Sequence, residues 1–144
     1  MSFGYGVGDI IAVSGLALKV YTAYKNAPDD YRDIADEVQS LHVIINKAAQ
    51  HFESTTLSKN SWQEGQVVLQ GCQNVLEDLD SLIEKYNSLA SAGSGQVLKR
   101  IKLGTEDIAM LRARLTSNTT LLSSFIQRSD ITTIEIKYCA NRST

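Results

Sequence analysis

Proline occurs once in the 144 residues, cysteine twice and tryptophan once, and aromatic side chains make up only 7% of the chain. With so little proline, long stretches are free of the residue that most strongly breaks helices, and Pro28 itself falls where a first helix should stop and a second begin. Cys72 and Cys139 lie far apart and form neither a CxxC pair nor a metal-ligand cluster, which fits a reducing compartment, with Cys72 read as a small core residue. A formal net charge of −2 gives no dense positive surface, so nucleic-acid binding through the phosphate backbone is excluded as a class. The N-terminus has no basic stretch ahead of its apolar run, and Ile10 to Val20 is too short to span a bilayer. Secretion is not indicated, so Asn118-Thr119-Thr120 and Asn141-Arg142-Ser143 are chance matches to the glycosylation sequon.

What is present is an ordinary globular composition, 43% hydrophobic and 21% charged, at a length that suits one domain. The apolar residues recur in steps of three and four. Ile10, Val13, Ala17, Val20 and Tyr24 form the stripe of a first helix, from an N-cap at Asp9 to about Lys25. Gly15, Lys19, Thr22 and Asn26 fall opposite, and Ile11 and Leu18 widen the apolar side. Tyr31, Ile34, Val38, Leu41, Ile45, Ala48 and Phe52 form the seam of a second helix over roughly Asp29 to Glu53. Asp29, Asp30, Asp33, Asp36 and Glu37 place negative charge near its positive end.

Ser61 with Glu64 reads as a capping box at the start of a third helix. Its two stripes, Leu69-Cys72-Leu76-Leu79-Ile83-Tyr86 and Val68-Val75-Leu82-Leu89, make so broad a face that a central position is expected. After the pliable run Ser91 to Gly95, Thr105 caps a last helix with the seam Ile108, Leu111, Leu115, Asn118, Leu122 and Phe125, in which Asn118 sets packing register. The fold expected is therefore all-α, an antiparallel bundle of four main helices over residues 1–128, with a short extra helix around 96–103. The β-branched segment Ile131 to Ile136 predicts a frayed tail over 129–144, or else an extension of the last helix.

Chemistry is hard to find. Gly4, Gly6 and Gly8 match neither a dinucleotide-binding nor a phosphate-binding loop and read as a pliable leader. His42 and His51 sit nine residues apart on one helix, too far along its axis to share a metal, and read as surface or boundary residues. No nucleophile is placed beside either, so no catalytic, cofactor or metal residues are expected and the chain reads as a non-enzyme. Lys99, Arg100, Lys102, Arg112 and Arg114 concentrate positive charge. Five such residues facing one way would draw the domain to anionic lipid at about 1 kcal/mol each.

The opening MSFGYGVGDIIAV, the segment YTAYKNAPDDYRD from Tyr21 to Asp33 and EVQSLH from Glu37 to His42 resemble the N-terminal domain of fungal STAND receptors, the HeLo-like family. Val75-Leu76-Glu77-Asp78-Leu79, Glu84-Lys85-Tyr86 and Leu111-Arg112-Ala113-Arg114-Leu115 look like the same family, so the likeness covers about Met1 to Gln127. The chain differs from the receptor pattern in carrying no nucleotide-binding module or repeats after the bundle. The resemblance implies a helical effector domain of an NLR-like immune or heterokaryon-incompatibility system. It would self-associate, work with a receptor in cis or trans and, once activated, move from cytoplasm to plasma membrane to kill the cell. On that reading Ile10, Ile11, Val13, Leu16, Leu18 and Val20 are the membrane-inserting residues, and Lys99, Arg100, Lys102, Arg112 and Arg114 face lipid. The rival expectation is a protein-interaction adaptor without membrane activity.

Overall fold

The three-and-four spacing of apolar residues is realised as four helices, seen in a computed structural model that describes residues 7–27, 29–54, 58–91 and 105–142. Side chains are described over 8–27, 31–53, 58–88 and 108–128. The helices are α1 (Val7–Lys25), α2 (Asp29–Ser54), α3 (Lys59–Ser91) and α4 (Thr105–Arg142). No strand occurs among the described residues. The short helix expected over 96–103 lies outside them, as do Lys99, Arg100 and Lys102.

Four polar contacts fix the arrangement. Ser14 on α1 donates to Asn46 on α2 at 2.7 Å, and Lys19 on α1 reaches Asp80 on α3 at 3.0 Å. Arg112 on α4 grips Glu37 on α2, while Arg114, two residues on, holds Asp78 on α3. The helices thus form a ring in the order α1, α2, α4, α3. Across its diagonals, α1 with α4 and α2 with α3, no Cα atoms come within 8 Å among the described residues.

Helices that follow one another in the chain run antiparallel, but two of the four packed pairs, α1 with α3 and α2 with α4, are parallel. Along α2 and α4, Glu37 meets Arg112 and Phe52 meets Phe125, both numbers rising together. The broad apolar face of α3 therefore serves two neighbours and the core between them; α3 is not a central helix.

Every residue of the predicted α1 stripe and of the α2 seam is buried. Leu69, Cys72, Val75, Leu76, Leu79 and Ile83 from α3 and Leu111, Leu115, Leu122 and Phe125 from α4 complete the core. Aromatic rings bridge the diagonal between α2 and α3 at both ends. Tyr31 and Tyr86 lie 5.3 Å apart by centroid at one end, and Phe52 packs edge-on against Trp62 at 4.9 Å at the other.

One expectation about helix ends needs correction, and one alternative left open is decided. The cap of α3 is Ser58, whose Oγ accepts the N–H of Ser61 at 3.2 Å, the N3 position of a standard N-cap. Glu64, freed from a capping box, pairs instead with Arg128 of α4. Of the two readings of the tail, α4 follows the extension and continues as helix to Arg142. Extending an existing helix adds a hydrogen bond per residue without a new nucleation cost, while Ile and Thr lose only about 0.5 kcal/mol each against alanine.

Gly65 and Gly71 set how closely α3 can approach its surroundings. A Cβ at Gly65 would stand 2.8 Å from Cζ of Phe52 and 3.0 Å from Cζ of Phe125. At Gly71 it would stand 2.5 Å from Oδ1 of Asn118, whose amide is fixed by donating to the Arg114 carbonyl. Asn118 thereby acts as a register residue: it fits only over a glycine. Gly65→Ala should destabilise the fold by about 1 to 3 kcal/mol despite alanine's better helix propensity, because buried rings must shift. Gly15→Ala on α1, with nothing within 4 Å of the added carbon, should stabilise by about 1 kcal/mol. Urea unfolding of the two variants checks this; equal effects, or a stabilising Gly65→Ala, would contradict the packing.

Candidate functional site: the outer face of the first helix

The 19 residues of α1 hold only two charges before the terminal Lys25, Asp9 and Lys19. Its inner stripe is tied to both neighbours. Besides the Ser14 and Lys19 contacts, the buried Tyr24 hydroxyl donates to the Leu79 carbonyl at 2.7 Å. The six residues expected to enter a membrane divide accordingly. Ile10, Val13 and Val20 are buried in the core, Leu16 is half-buried against it, and Ile11 and Leu18 are 59% and 51% exposed. As one set they do not share a face.

Ile11 and Leu18 instead belong with Gly8, Ala12, Gly15 and Thr22, all exposed. Sequence reasoning grouped them with the inner stripe, yet the signal was present: Ile11 lies four residues before Gly15, and Leu18 three after it, which is one helical face. The Thr22 hydroxyl donates to the Leu18 carbonyl at 2.9 Å, so it is satisfied within its own helix. The result is an apolar strip about four turns long, turned away from the core and without charge between Asp9 and Lys19.

The basic cluster does not form a common face at the two members whose side chains are described. Arg112 donates from Nε and a terminal nitrogen to Glu37, at 3.1 and 2.6 Å, and this pairing raises its pKa further. Arg114 turns to α3 and Asp78 at 2.6 Å. Both charges are spent on holding α4 between its neighbours. Such half-exposed pairs contribute at most about 1 kcal/mol each and act chiefly on orientation.

His51 is buried beside Phe52, not at the surface, whereas His42 is half-buried. A chain of hydrogen bonds links Ser14 to Asn46 and Asn46 to His42, the last at 3.5 Å. An amide lies between the hydroxyl and the imidazole, and an amide cannot take up the serine proton, so the arrangement does not activate a nucleophile.

The groove between α2 and α4, about 570 Å³, is lined by Ser40, Val43, Ile44, Thr119, Thr120, Ser123, Ser124 and Gln127, none of them ionisable near neutral pH. The hydroxyls of Ser40, Thr119 and Thr120 donate to carbonyls one turn back. Among the described residues no group of three or more His, Cys, Asp or Glu is placed to hold a metal ion, and no helix is long and apolar enough to cross a membrane.

No family model, curated protein or solved structure matches the chain. The described residues define an all-α bundle of four main helices, and its most distinctive described surface is the outer strip of α1.

Two buried acids make the fold sensitive to alkali. Burial pushes the Cys72 thiol from 9.0 up to about 12. Burial, then the neighbouring Tyr31 and Asp80, push the Tyr24 phenol well above its usual 10.0. Both groups stay protonated in the folded chain but ionise at ordinary values once unfolded. Their contribution to stability is complete below about pH 9 and is lost as pH rises toward 12. The free energy of unfolding should therefore fall above about pH 9, and less steeply in Tyr24→Phe, where one of the two groups is gone. A wild-type profile flat to pH 11 would contradict the burial of these side chains.

Proposed function

We propose that this domain is the effector part of a fungal NLR-like immune or heterokaryon-incompatibility system, acting by self-association and by bringing α1 to a membrane to cause cell death. The observation that carries this reading is the pair Ile11 and Leu18, more than half exposed on a helix whose other large apolar residues face inward. An apolar strip with charges only at its ends suits a helix lying in the lipid interface. The attachment is peripheral at first. Burying the two exposed side chains yields at most about 1.5 to 3 kcal/mol each, enough for weak, reversible binding. Ile10, Val13 and Val20 reach lipid only if α1 leaves the bundle, which sacrifices a similar amount for each and the Tyr24 to Leu79 hydrogen bond as well. Activation must therefore supply the difference, and clustering beside a receptor, in cis or in trans, is the means proposed. The domain would wait in the cytoplasm and reach the plasma membrane on activation.

A second reading, a protein-interaction adaptor without membrane activity, is favoured by one observation. Ser14, Lys19 and Tyr24 tie α1 to both neighbours along its length, as suits a helix that never leaves the bundle. The same strip would then meet a protein.

Leakage of vesicles containing anionic lipid, with the domain clustered by an appended oligomerising tag in place of a receptor and compared for wild type, Ile11→Asp and Leu18→Asp, separates the two readings. Both positions are exposed, so the variants should keep the wild-type circular dichroism spectrum. The membrane reading predicts leakage from wild type and a loss of at least about tenfold in each variant, the effect of 1.4 kcal/mol on binding. Equal leakage from all three defeats it. No leakage from any of them, with diffuse and harmless tagged protein in yeast, selects the adaptor.

A further inference from the structure

The outer strip of α1 has the shape of a surface made to meet its own copy. Gly8, Ile11, Ala12 and Gly15 stand at spacings of three, four and seven, the four corners of a hole on a helix surface. At Gly8 and Gly15 an added Cβ would find nothing within 4 Å, so the floor of that hole is bare backbone open to the outside. Gly15, Leu18, Lys19 and Thr22 form a second hole about two turns further along, and each hole has an exposed apolar side chain, Leu18 or Ile11, at the far end of the same strip.

We propose that two copies of this chain associate through their α1 helices, packed antiparallel about a two-fold axis beside Gly15. In that register Leu18 of each copy enters the other's hole at Gly8, Ile11, Ala12 and Gly15, while Ile11 enters the hole at Gly15, Leu18, Lys19 and Thr22. All four insertions occur at once, as an isologous interface requires.

Charge selects the same direction. Asp9 and Lys19 lie on one flank of the strip, the flank toward α3: Lys19 reaches Asp80, and Asp9 borders a cleft shared with Gln73. A two-fold antiparallel pair sets that flank against the same flank of the other copy with direction reversed, so Asp9 comes beside the second copy's Lys19, twice. Lys19, 3.0 Å from Asp80 and 3.8 Å from Glu84, remains 61% exposed, and an ammonium with three N–H groups can add a further carboxylate from outside. A parallel pair would instead face this flank with the one toward α2, where Ser14 stands and the one charge on α1 is Lys25, more than four turns along the axis from Asp9. Antiparallel helix dipoles add in the same sense.

The patch is small, so the association is weak, with Kd on the order of 0.1 mM. It stands whether or not the membrane reading does. If both hold, the dimer covers Ile11 and Leu18, the two side chains offered to lipid.

Sedimentation equilibrium of the full chain, from micromolar to millimolar concentration, tests the pairing. Wild type should show a monomer–dimer equilibrium, and Gly15→Leu, which fills the hole at an exposed position where an added Cβ meets nothing within 4 Å, should weaken it at least about tenfold. In a Cys139→Ser background, Gly15→Cys should oxidise to a disulfide-linked dimer, since position 15 lies at the axis and Cys72 is buried. A chain that stays monomeric throughout, or a dimer indifferent to Gly15→Leu, overturns the proposal. Gly15→Leu also keeps the failures of the two readings apart. It adds apolar area to the strip, so vesicle binding should persist or rise while dimerisation is lost, and leakage that fails in a dimerising wild type leaves this pairing untouched.

Discussion

The structure depends on the docking of one side of α1 into the angle between α2 and α3. Ile10, Val13, Ala17, Val20 and Tyr24 are all buried there, and these five are the domain's main apolar link between its first helix and the rest. Because a helix turns 100° per residue, committing that stripe inward commits Ile11, Gly15 and Leu18 outward. The exposed apolar strip is therefore a direct consequence of how α1 packs, and a charged residue could have occupied either large position without harm to the core. That isoleucine and leucine stand there instead is the fact that any account of the domain's activity has to use.

The opposite corner of the ring is built differently. The α4 helix buries Leu111, Leu115, Leu122 and Phe125 and is positioned besides by paired fixtures: Arg112 to Glu37, Arg114 to Asp78, Arg128 to Glu64, and Asn118 seated over Gly71. Each is modest in energy, but together they determine where along α2 and α3 the last helix sits. The contrast matters for the basic residues. Arginines that look in sequence like part of a lipid-seeking cluster are structural ties, and their charges are already answered by carboxylates on two different helices.

Much of the fold was legible in the sequence because burial follows helical periodicity. The seven-residue seam of α2 and the five-residue stripe of α1 are buried to the last member. What periodicity could not show was which helices become neighbours. The ring order, with α2 and α3 at opposite corners, emerges from pairwise fits such as Gly71 with Asn118 and Phe52 with Trp62, which have no signature in either helix alone. The cap of α3 was misplaced because Ser58 and Ser61 both precede acceptable helical sequence, and only geometry distinguishes which hydroxyl receives the backbone N–H. The tail stayed open between fraying and extension because weak β-branched propensity opposes the advantage of continuing a helix already formed, and the two are close in energy. At the candidate site the residues were named but wrongly grouped: hydrophobicity drew Ile11 and Leu18 to the core stripe, although their spacing from Gly15 puts them on the other side.

The central claim is that α1 is docked on one side and open on the other. Nitroxide spin labels placed singly along residues 10–24 of dilute protein, with solvent accessibility measured by a polar relaxation agent, read that out directly. The account predicts accessibility that rises and falls with the helical repeat, high at 11, 15, 18 and 22 and low at 10, 13, 17, 20 and 24. Uniform accessibility along the segment, or maxima at the positions assigned to the core, would contradict it.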